Sequence, residues 1–382
     1  MNILVVAHYQ GDGSPTAIFV HEQIRAFMKA GHQVKVIVPI ALGKRGWSNH
    51  RFGVSVQRLV IDQTEHYFLR YLSLSSIGED GFNGWSASVA LRYQLAKVMG
   101  TFIPDIIHAH TIGLDSYIGA WLKKKYHCPL VVTTHGSDTS IPLAKGKKKF
   151  LKRCCDQADR VVAVSSVLAN KLKQCKTTTP ICSILNGFNV QYMPTDYQKK
   201  ALSFIQVGHL IPQKKVDITI RAFAQVRERY PAATLRIIGS GSERGALEAL
   251  CHELGIDDSV CFMGQVSNQV VMEEMAKAQF FIMPSIREGF GIVYIEAMAA
   301  GCITIGTEGE GIADLIVSGE NGLLVPPNDP DAIVCRIMEC LNNPKKAAAI
   351  AKRGREAATA LTWERNISCY TKVFASLIER IQ

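Results

Sequence analysis

Phe280–Gly301 reads FFIMPSIREGFGIVYIEAMAAG, and its punctuation decides the fold. Phe280–Met283 is a short apolar run stopped by Pro284. Glu288-Gly289-Phe290-Gly291 is a glycine-rich turn, and a helical pattern begins near Ile292. An uninterrupted apolar strand feeding a helix belongs to a parallel sheet covered on both faces. Glycine lets other groups approach the backbone, and a helix N-terminus offers unpaired amides and positive potential. Together they make a cradle for phosphate or diphosphate. Glu288 sits at the mouth of the turn, and Glu296 lies eight residues further, inside the helix. Carboxylates are poor phosphate ligands but good acceptors for sugar hydroxyls, so the pair points to a phosphorylated sugar. The competing reading makes Glu296 an exposed helix residue and Glu288 a loop residue.

The same alternation runs outward in both directions. Ile3–Ala7, Val34–Val38, Ile106–Ala109, Leu130–Thr134 and Val161–Val164 read as strands. Phe19–Ala30, closed by Gly31, and Val167–Leu172 read as helices. The pattern breaks near Pro194–Lys200 and restarts with Ser203–Val207, Thr234–Gly239, Val260–Phe262, Cys302–Ile305 and Leu323–Val325 as strands. Asp217–Arg229 and Glu243–Leu254 are helices between them, and Trp363–Ile381 is one amphipathic helix. The expected fold class is α/β, with two Rossmann-like doubly wound domains facing a cleft. Residues 1–195 form the first domain and 196–362 the second. Residues 363–382 form a helix that packs back toward the first.

The chain has 382 residues, 47% of them apolar and 20% charged, enough for two sizeable cores and incompatible with disorder or a disulfide miniprotein. The net charge of +10 is uneven. Residues 1–200 carry 25 Lys/Arg against 12 Asp/Glu, and residues 201–382 carry 18 against 21. That asymmetry points to an anionic surface facing the first half, nucleic acid or membrane. Eleven Cys without regular spacing read as free thiols in a reducing cytosol, with no zinc framework. Met1–Ala7 reads as a buried strand rather than a signal peptide, and no apolar run is long enough to span a bilayer.

Glu288 and Glu296 form an E-x7-E pattern that resembles the retaining nucleotide-sugar glycosyltransferases of family 4, which have the GT-B fold. The resemblance covers nearly the whole chain. VGHLIPQKKVD (Val207–Asp217), IIGSGSER (Ile237–Arg244), VCFMGQV (Val260–Val266) and GEGIADLIVSGENGLLVPPND (Gly309–Asp329) follow the family order. So do SPTAIFVHEQIRAF (Ser14–Phe27), VVTTHGSD (Val131–Asp138) and ILNGFN (Ile184–Asn189). The resemblance implies that the second domain binds a nucleoside-diphosphate sugar. Glu296 is expected on the ribose hydroxyls, and Glu288 with the amides of Gly289, Phe290, Gly291 and Ile292 near the donor sugar and diphosphate. Lys214 is expected to stabilise the departing diphosphate as its charge grows. His135 is expected near the reacting sugar, with Asp138 orienting it or binding acceptor. Gly13, in the loop Gly11–Ser14, is expected beside the phosphates. Gly239 and Gly241 are expected to line the nucleotide pocket, and Val266 and His209 to contact donor.

Three positions depart from the family pattern. His209 stands where Arg is usual and lacks its planar fork. Lys215 stands where Gly is common, and Asn189 where Asp is common. Gly239, Gly241 and Gly245 miss the dinucleotide fingerprint by one residue, so NAD is not supported. Asp329-Pro330-Asp331 reads as a helix cap rather than a metal pair, and no metal or other cofactor is expected. Lys145–Arg153 (KGKKKFLKR), with Lys123–Lys125, reads as a basic amphipathic segment for the anionic inner face of the cell membrane. The competing reading is a solvated helix face. No nucleic-acid motif accompanies the charge, so nucleic acid is set aside.

The leading expectation is therefore a cytoplasmic, membrane-peripheral glycosyltransferase acting on a lipid-linked or surface-polysaccharide acceptor. A phosphorylase or sugar-phosphate synthase on the same fold, and a non-catalytic nucleotide-sugar-binding subunit, stay open as alternatives.

Overall fold

The computed structural model describes residues 1–8, 18–42, 56–73, 82–189 and 198–380. It separates into two compact units. Unit 1 is Met1–Gly187 with Trp363–Gln382, and unit 2 is Phe188–Thr362. The division falls at Gly187/Phe188 where sequence pattern alone put 195/196, because Phe188 already bridges Thr362 of the second unit.

Unit 1 runs β1 (Asn2–Val6), α1 (Ile18–Lys29), β2 (Gln33–Leu42), β3 (Val56–Ile61), β4 (Thr64–Leu72), α2 (Phe82–Met99), β5 (Ile106–Ala109), α3 (Leu114–Tyr126), β6 (Leu130–Thr134), α4 (Ser137–Ala144), α5 (Lys148–Cys155), β7 (Arg160–Ala163), α6 (Ser166–Lys173) and β8 (Ile181–Ser183). The sheet order is β3-β4-β2-β1-β5-β6-β7-β8. Every pairing is parallel except the β3–β4 hairpin at the edge. The central strands are apolar on both faces, as a doubly covered sheet requires, and Ile3 to Ala7 are fully buried. Gly31, at φ +83°, stops α1. Ser165 starts α6 by accepting the Leu168 amide at 3.2 Å.

Unit 2 runs β9 (Lys200–Val207), α7 (Val216–Arg229), β10 (Thr234–Ile238), α8 (Arg244–Glu253), β11 (Val260–Gly264), α9 (Asn268–Lys277), β12 (Ala278–Ile282), α10 (Ile292–Ala299), β13 (Ile303–Thr307), β14 (Leu323–Val325), α11 (Pro330–Asn342) and α12 (Pro344–Thr359). Its all-parallel order is β11-β10-β9-β12-β13-β14. Strand order reverses between β9 and β12, which is where such sheets open a crevice beyond their carboxyl ends. Asp329 caps α11, its Oδ1 accepting the Ala332 amide at 2.9 Å with Pro330 in the first turn. The Asp-x-Asp pair is thus the cap the sequence suggests.

The chain then returns to unit 1 as α13 (Trp363–Ile378), which lies against α1. Phe374 stacks on Phe27 at 5.7 Å, and Gln23 Nε2 donates to Asn366 Oδ1 at 2.8 Å. Ile367, Tyr370, Phe374 and Leu377 are all buried. At roughly 1.5–3 kcal/mol per buried large side chain, α13 is a major part of the core of unit 1.

Candidate active site

In unit 2 the site grows from the two loops that leave β9 and β12 at the point of strand reversal. After β9 the chain passes Gly208 and His209 and makes a tight turn over Pro212–Lys214. After β12 it runs from Met283 to Gly291, the cap of α10. The Ile286 amide donates to the Gln213 carbonyl at 2.8 Å and ties the two loops together. Gln206 Nε2 holds the Lys214 carbonyl at 3.0 Å.

These constraints bring Lys214 Nζ within 2.5 Å of Glu288 Oε2, with each side chain 18% exposed. Ser285 Oγ donates to the same carboxylate oxygen at 3.3 Å. The Ser285 hydroxyl lies 3.0 Å from the Tyr294 hydroxyl, which donates to the Met283 carbonyl at 2.5 Å. Tyr294 is fully buried, and desolvation pushes its phenol far above the ordinary range. The result is a fixed cation beside a fixed anion, braced from below by neutral hydroxyls.

Gly291 has φ +78°, and a Cβ there would stand 2.7 Å from the Tyr294 ring. Only glycine can turn the chain into α10 at this point. Gly289 and Phe290 are buried, and Ile292 opens the helix half-exposed, its amide among those that lack an intrahelical partner. Glu296 is half-buried on α10, and its carboxylate has no hydrogen-bond partner among the described residues. Burial pushes it up to about 7. Gly239 follows β10 with its Cα packed on the Gly208 carbonyl, so the loops after β9 and β10 touch backbone to backbone. His209 is exposed, and Val266 is half-buried just beyond β11. Lys215, where the family often has Gly, adopts φ +50°.

In unit 1 the histidines gather. His135 follows β6, and its Nε2 lies 3.3 Å from His110 Nδ1 at the end of β5. The two rings stack at 5.5 Å and 7°. The His108 ring lies 4.2 Å from that of His110, tilted by 42°, and its Nε2 is 2.8 Å from Thr133 Oγ1, which is 2.9 Å from the Tyr370 hydroxyl of α13. Burial drives His110 down to about 3 and holds His108 and His135 well below the ordinary imidazole range. All three are therefore neutral at pH 7. His108 Nδ1, His110 Nε2 and His135 Nδ1 are buried without a partner. Among the described residues no cluster of His, Cys, Asp or Glu is arranged to hold a metal.

Asp138 is used up locally. Its carboxylate accepts the amides of Ile112, His135 and Gly136 and the Thr134 hydroxyl, at 2.9–3.1 Å. It thereby holds the backbone amide of His135. Gly13 lies outside the described residues.

The basic segment differs from expectation in one respect. Leu151 is fully buried, and Phe150 packs on the core of unit 1. The apolar side of α5 is therefore spent on folding. Lys148, Lys149 and Arg153 remain exposed, while Lys152 pairs with Asp156 and Lys123 with Asp159. What α5 presents to solvent is its basic side.

Residues 16–192 match the model of Glycosyltransferase Family 4, and residues 195–357 that of Glycosyl transferases group 1. An uncharacterized glycosyltransferase of Methanocaldococcus jannaschii is 30% identical over 72% of this chain and 76% of its own. The chain belongs to the glycosyltransferases. The N-acetyl-alpha-D-glucosaminyl L-malate synthase of Bacillus anthracis is a further relative of this glycosyltransferase, 26% identical over 76% of this chain and 79% of the other. Sucrose-phosphate synthase from Thermosynechococcus elongatus shares the fold with a TM-score of 0.77 at 22% identity, covering 98% of this chain and all of that one. An Anabaena protein, HepE, crystallised with UDP, does so at 0.74 and 20%, covering 99% and all of that chain.

Several residues of this glycosyltransferase escaped the sequence reading. Ser285 and Tyr294 lie inside the quoted motif but read as filler. His108 and His110 carried a usable signal. Alternate residues of a strand share a face, so His108-x-His110 at the end of β5 beside Thr133-x-His135 at the end of β6 sets four polar groups on one face. Glu310 carried no local signal at all.

Proposed function

We propose that this enzyme transfers a sugar, with retention of anomeric configuration, from a nucleoside diphosphate to a hydroxyl acceptor. The observation that carries the reading is the Lys214–Glu288 pair at the strand reversal of unit 2, eight residues from an unpartnered Glu296. Glu296 is suited to two ribose hydroxyls, because hydrogen bonds to the charged form would offset the burial that raises its pKa. Lys214 and the amides from Gly289 to Ile292 are assigned to the diphosphate, and Glu288 to the donor sugar. A diphosphate arriving there would share Lys214 with Glu288, so the ammonium is held in place before the leaving group needs it. His135 is assigned to the reacting sugar from unit 1, as a neutral hydrogen-bonding group. The UDP in the Anabaena structure and the glucosaminyl transfer in the name of the Bacillus relative support a nucleotide-sugar donor. No metal is assigned.

For the acceptor we propose a lipid-linked or surface-polysaccharide intermediate at the inner face of the cell membrane. The exposed Lys148, Lys149 and Arg153 support docking on anionic lipid by charge alone. Among the described residues no helix is long and apolar enough to cross a membrane. A second reading, a small soluble acceptor, gains from the burial of Leu151 and Phe150, which removes the apolar anchor.

The test is a panel of UDP- and GDP-sugars, with the anomeric configuration of the product read by NMR. Lys214→Ala should lower turnover about 10²–10³-fold with the fold intact. An inverted product, or full activity in the variant, sinks the assignment. Flotation with anionic liposomes should weaken when Lys148, Lys149 and Arg153 become Glu. Unchanged flotation, or none in the wild type, favours the soluble acceptor.

A further inference from the structure

We propose that Glu310 is a positioning residue of the donor turn, an internal anion that sets the direction of Glu288. The inference rests on the donor-site reading given above.

Glu310 belongs to the loop after β13. Its Oε1 accepts the Arg287 amide at 2.8 Å and its Oε2 the Glu288 amide at 3.0 Å. Successive amides around a left-handed residue form a concave anion nest, and Arg287 has φ +61°. A carboxylate thus fills, from within the chain, a nest of the kind that elsewhere takes a phosphate. The adjoining backbone is seated without clearance. A Cβ on Gly311 would stand 1.9 Å from the Gly289 carbonyl oxygen. The loop is itself anchored, with the Glu308 amide on the Val325 carbonyl and the Ala313 amide on the Glu310 carbonyl, both at 2.9 Å.

Two things follow for Glu288. Its amide is held by a carboxylate on one side while its own carboxylate is held by Lys214 on the other. The residue between these two charges is fixed at both ends. The occupied nest also keeps a substrate anion off the amides of Arg287 and Glu288. The diphosphate is then directed to the amides that follow, from Gly289 into α10. Glu310 has no need to touch substrate for either effect.

The variants are Glu310→Ala, Glu310→Gln and the double variant Glu310→Ala/Arg287→Gly, all in the full chain. Hydrogen exchange is read on peptides spanning residues 284–292. Turnover is read as nucleoside diphosphate released from UDP-glucose, UDP-N-acetylglucosamine or GDP-mannose. UDP and GDP binding is measured by calorimetry. Glu310→Ala should speed exchange in that segment at least tenfold, with the rest of unit 2 unchanged. It should lower kcat about 10- to 100-fold with KM within threefold, as expected when a reacting group is misplaced. Glu310→Gln keeps the volume and one acceptor, so it should lose less, and it carries the test should the alanine variant fail to fold. Glycine at 287 takes the left-handed conformation without a clamp, so the double variant should regain at least a third of the lost rate on a logarithmic scale. Unchanged exchange, a kcat within twofold of wild type, or no rescue by glycine overturns the proposal. If the wild type neither binds UDP or GDP nor releases them from their sugars, the donor reading falls and this inference with it. If the wild type is active and Glu310→Ala is equally so, this inference alone falls.

Discussion

The carboxyl ends of the two sheets solve opposite electrostatic problems. In unit 2, Lys214 and Glu288 are each other's partners in a partly buried setting, and Ser285 adds a further hydrogen bond. In unit 1, His108, His110 and His135 are held neutral because burial gives their cations nothing to pair with. One region holds paired charges, and the other holds polar groups that carry none.

The contrast can be broken most sharply at Glu288. Glu288→Gln removes the anion and leaves Lys214 partly buried without its partner. Transfer should fall about 10²–10³-fold, as when one stabilising group is taken from a transition-state site. Steady-state kinetics with melting curves checks this, and activity within tenfold of wild type would deny the pair its role.

Acid should separate the two units next. An imidazole whose folded pKa lies below its unfolded value contributes stability above pH 6.5 and loses it as pH falls through the window beneath. For His110 that window runs from 6.5 down to about 3. His110 weakens unit 1 by about 1.4 kcal/mol per pH unit there, and His108 and His135 act in the same direction. Glu296 acts in the opposite sense. Its raised pKa makes burial of the charge costly as pH climbs from 4.5 toward 7, so that cost is relieved in acid. Hydrogen exchange on the intact chain, corrected for intrinsic rates, should show unit 1 loosening between pH 7.5 and 5.5 well ahead of unit 2.

The same carboxyl sharpens the donor reading. Ionised Glu296 is the form that accepts two hydroxyls. UDP or GDP affinity should therefore drop about tenfold from pH 8 to pH 6, following titration of a group near 7, and Glu296→Gln should flatten the profile. Calorimetry at both values decides it. The smallest effect is expected at Lys215, whose φ of +50° suits glycine. Lys215→Gly should raise stability by about 0.5–1 kcal/mol in chemical denaturation and leave transfer unchanged.

Most parallel strands of both units are legible in the sequence because each is a short apolar run bounded by turn residues, whereas the three-residue β8 is too short to show one. The β3–β4 hairpin is not. Its turn, Asp62-Gln63, has positive φ at both residues yet contains no glycine, so the usual signal is missing. At the site, E-x7-E and Lys214 announce themselves through spacing and resemblance. Ser285, Tyr294 and Glu310 act through contacts between segments distant in sequence or folded back on themselves, and no local pattern encodes those. The fate of Phe150 and Leu151 was hidden for a related reason. A run of Lys interrupted by Phe150 and Leu151 marks an amphipathic helix without saying whether protein or lipid covers its greasy side.

The return of α13 to unit 1 has a consequence for how the molecule is made. Phe374 and Tyr370 complete the layer over Phe27 and His108, yet they are synthesised only after all of Phe188–Thr362. On a translating ribosome, unit 2 is therefore the first to have its entire core in hand. The histidine cluster of unit 1 must wait, uncovered, for α13 to emerge. Maturation of the two units runs against their order in the genetic message, and α13 acts as the latch that finishes the first domain.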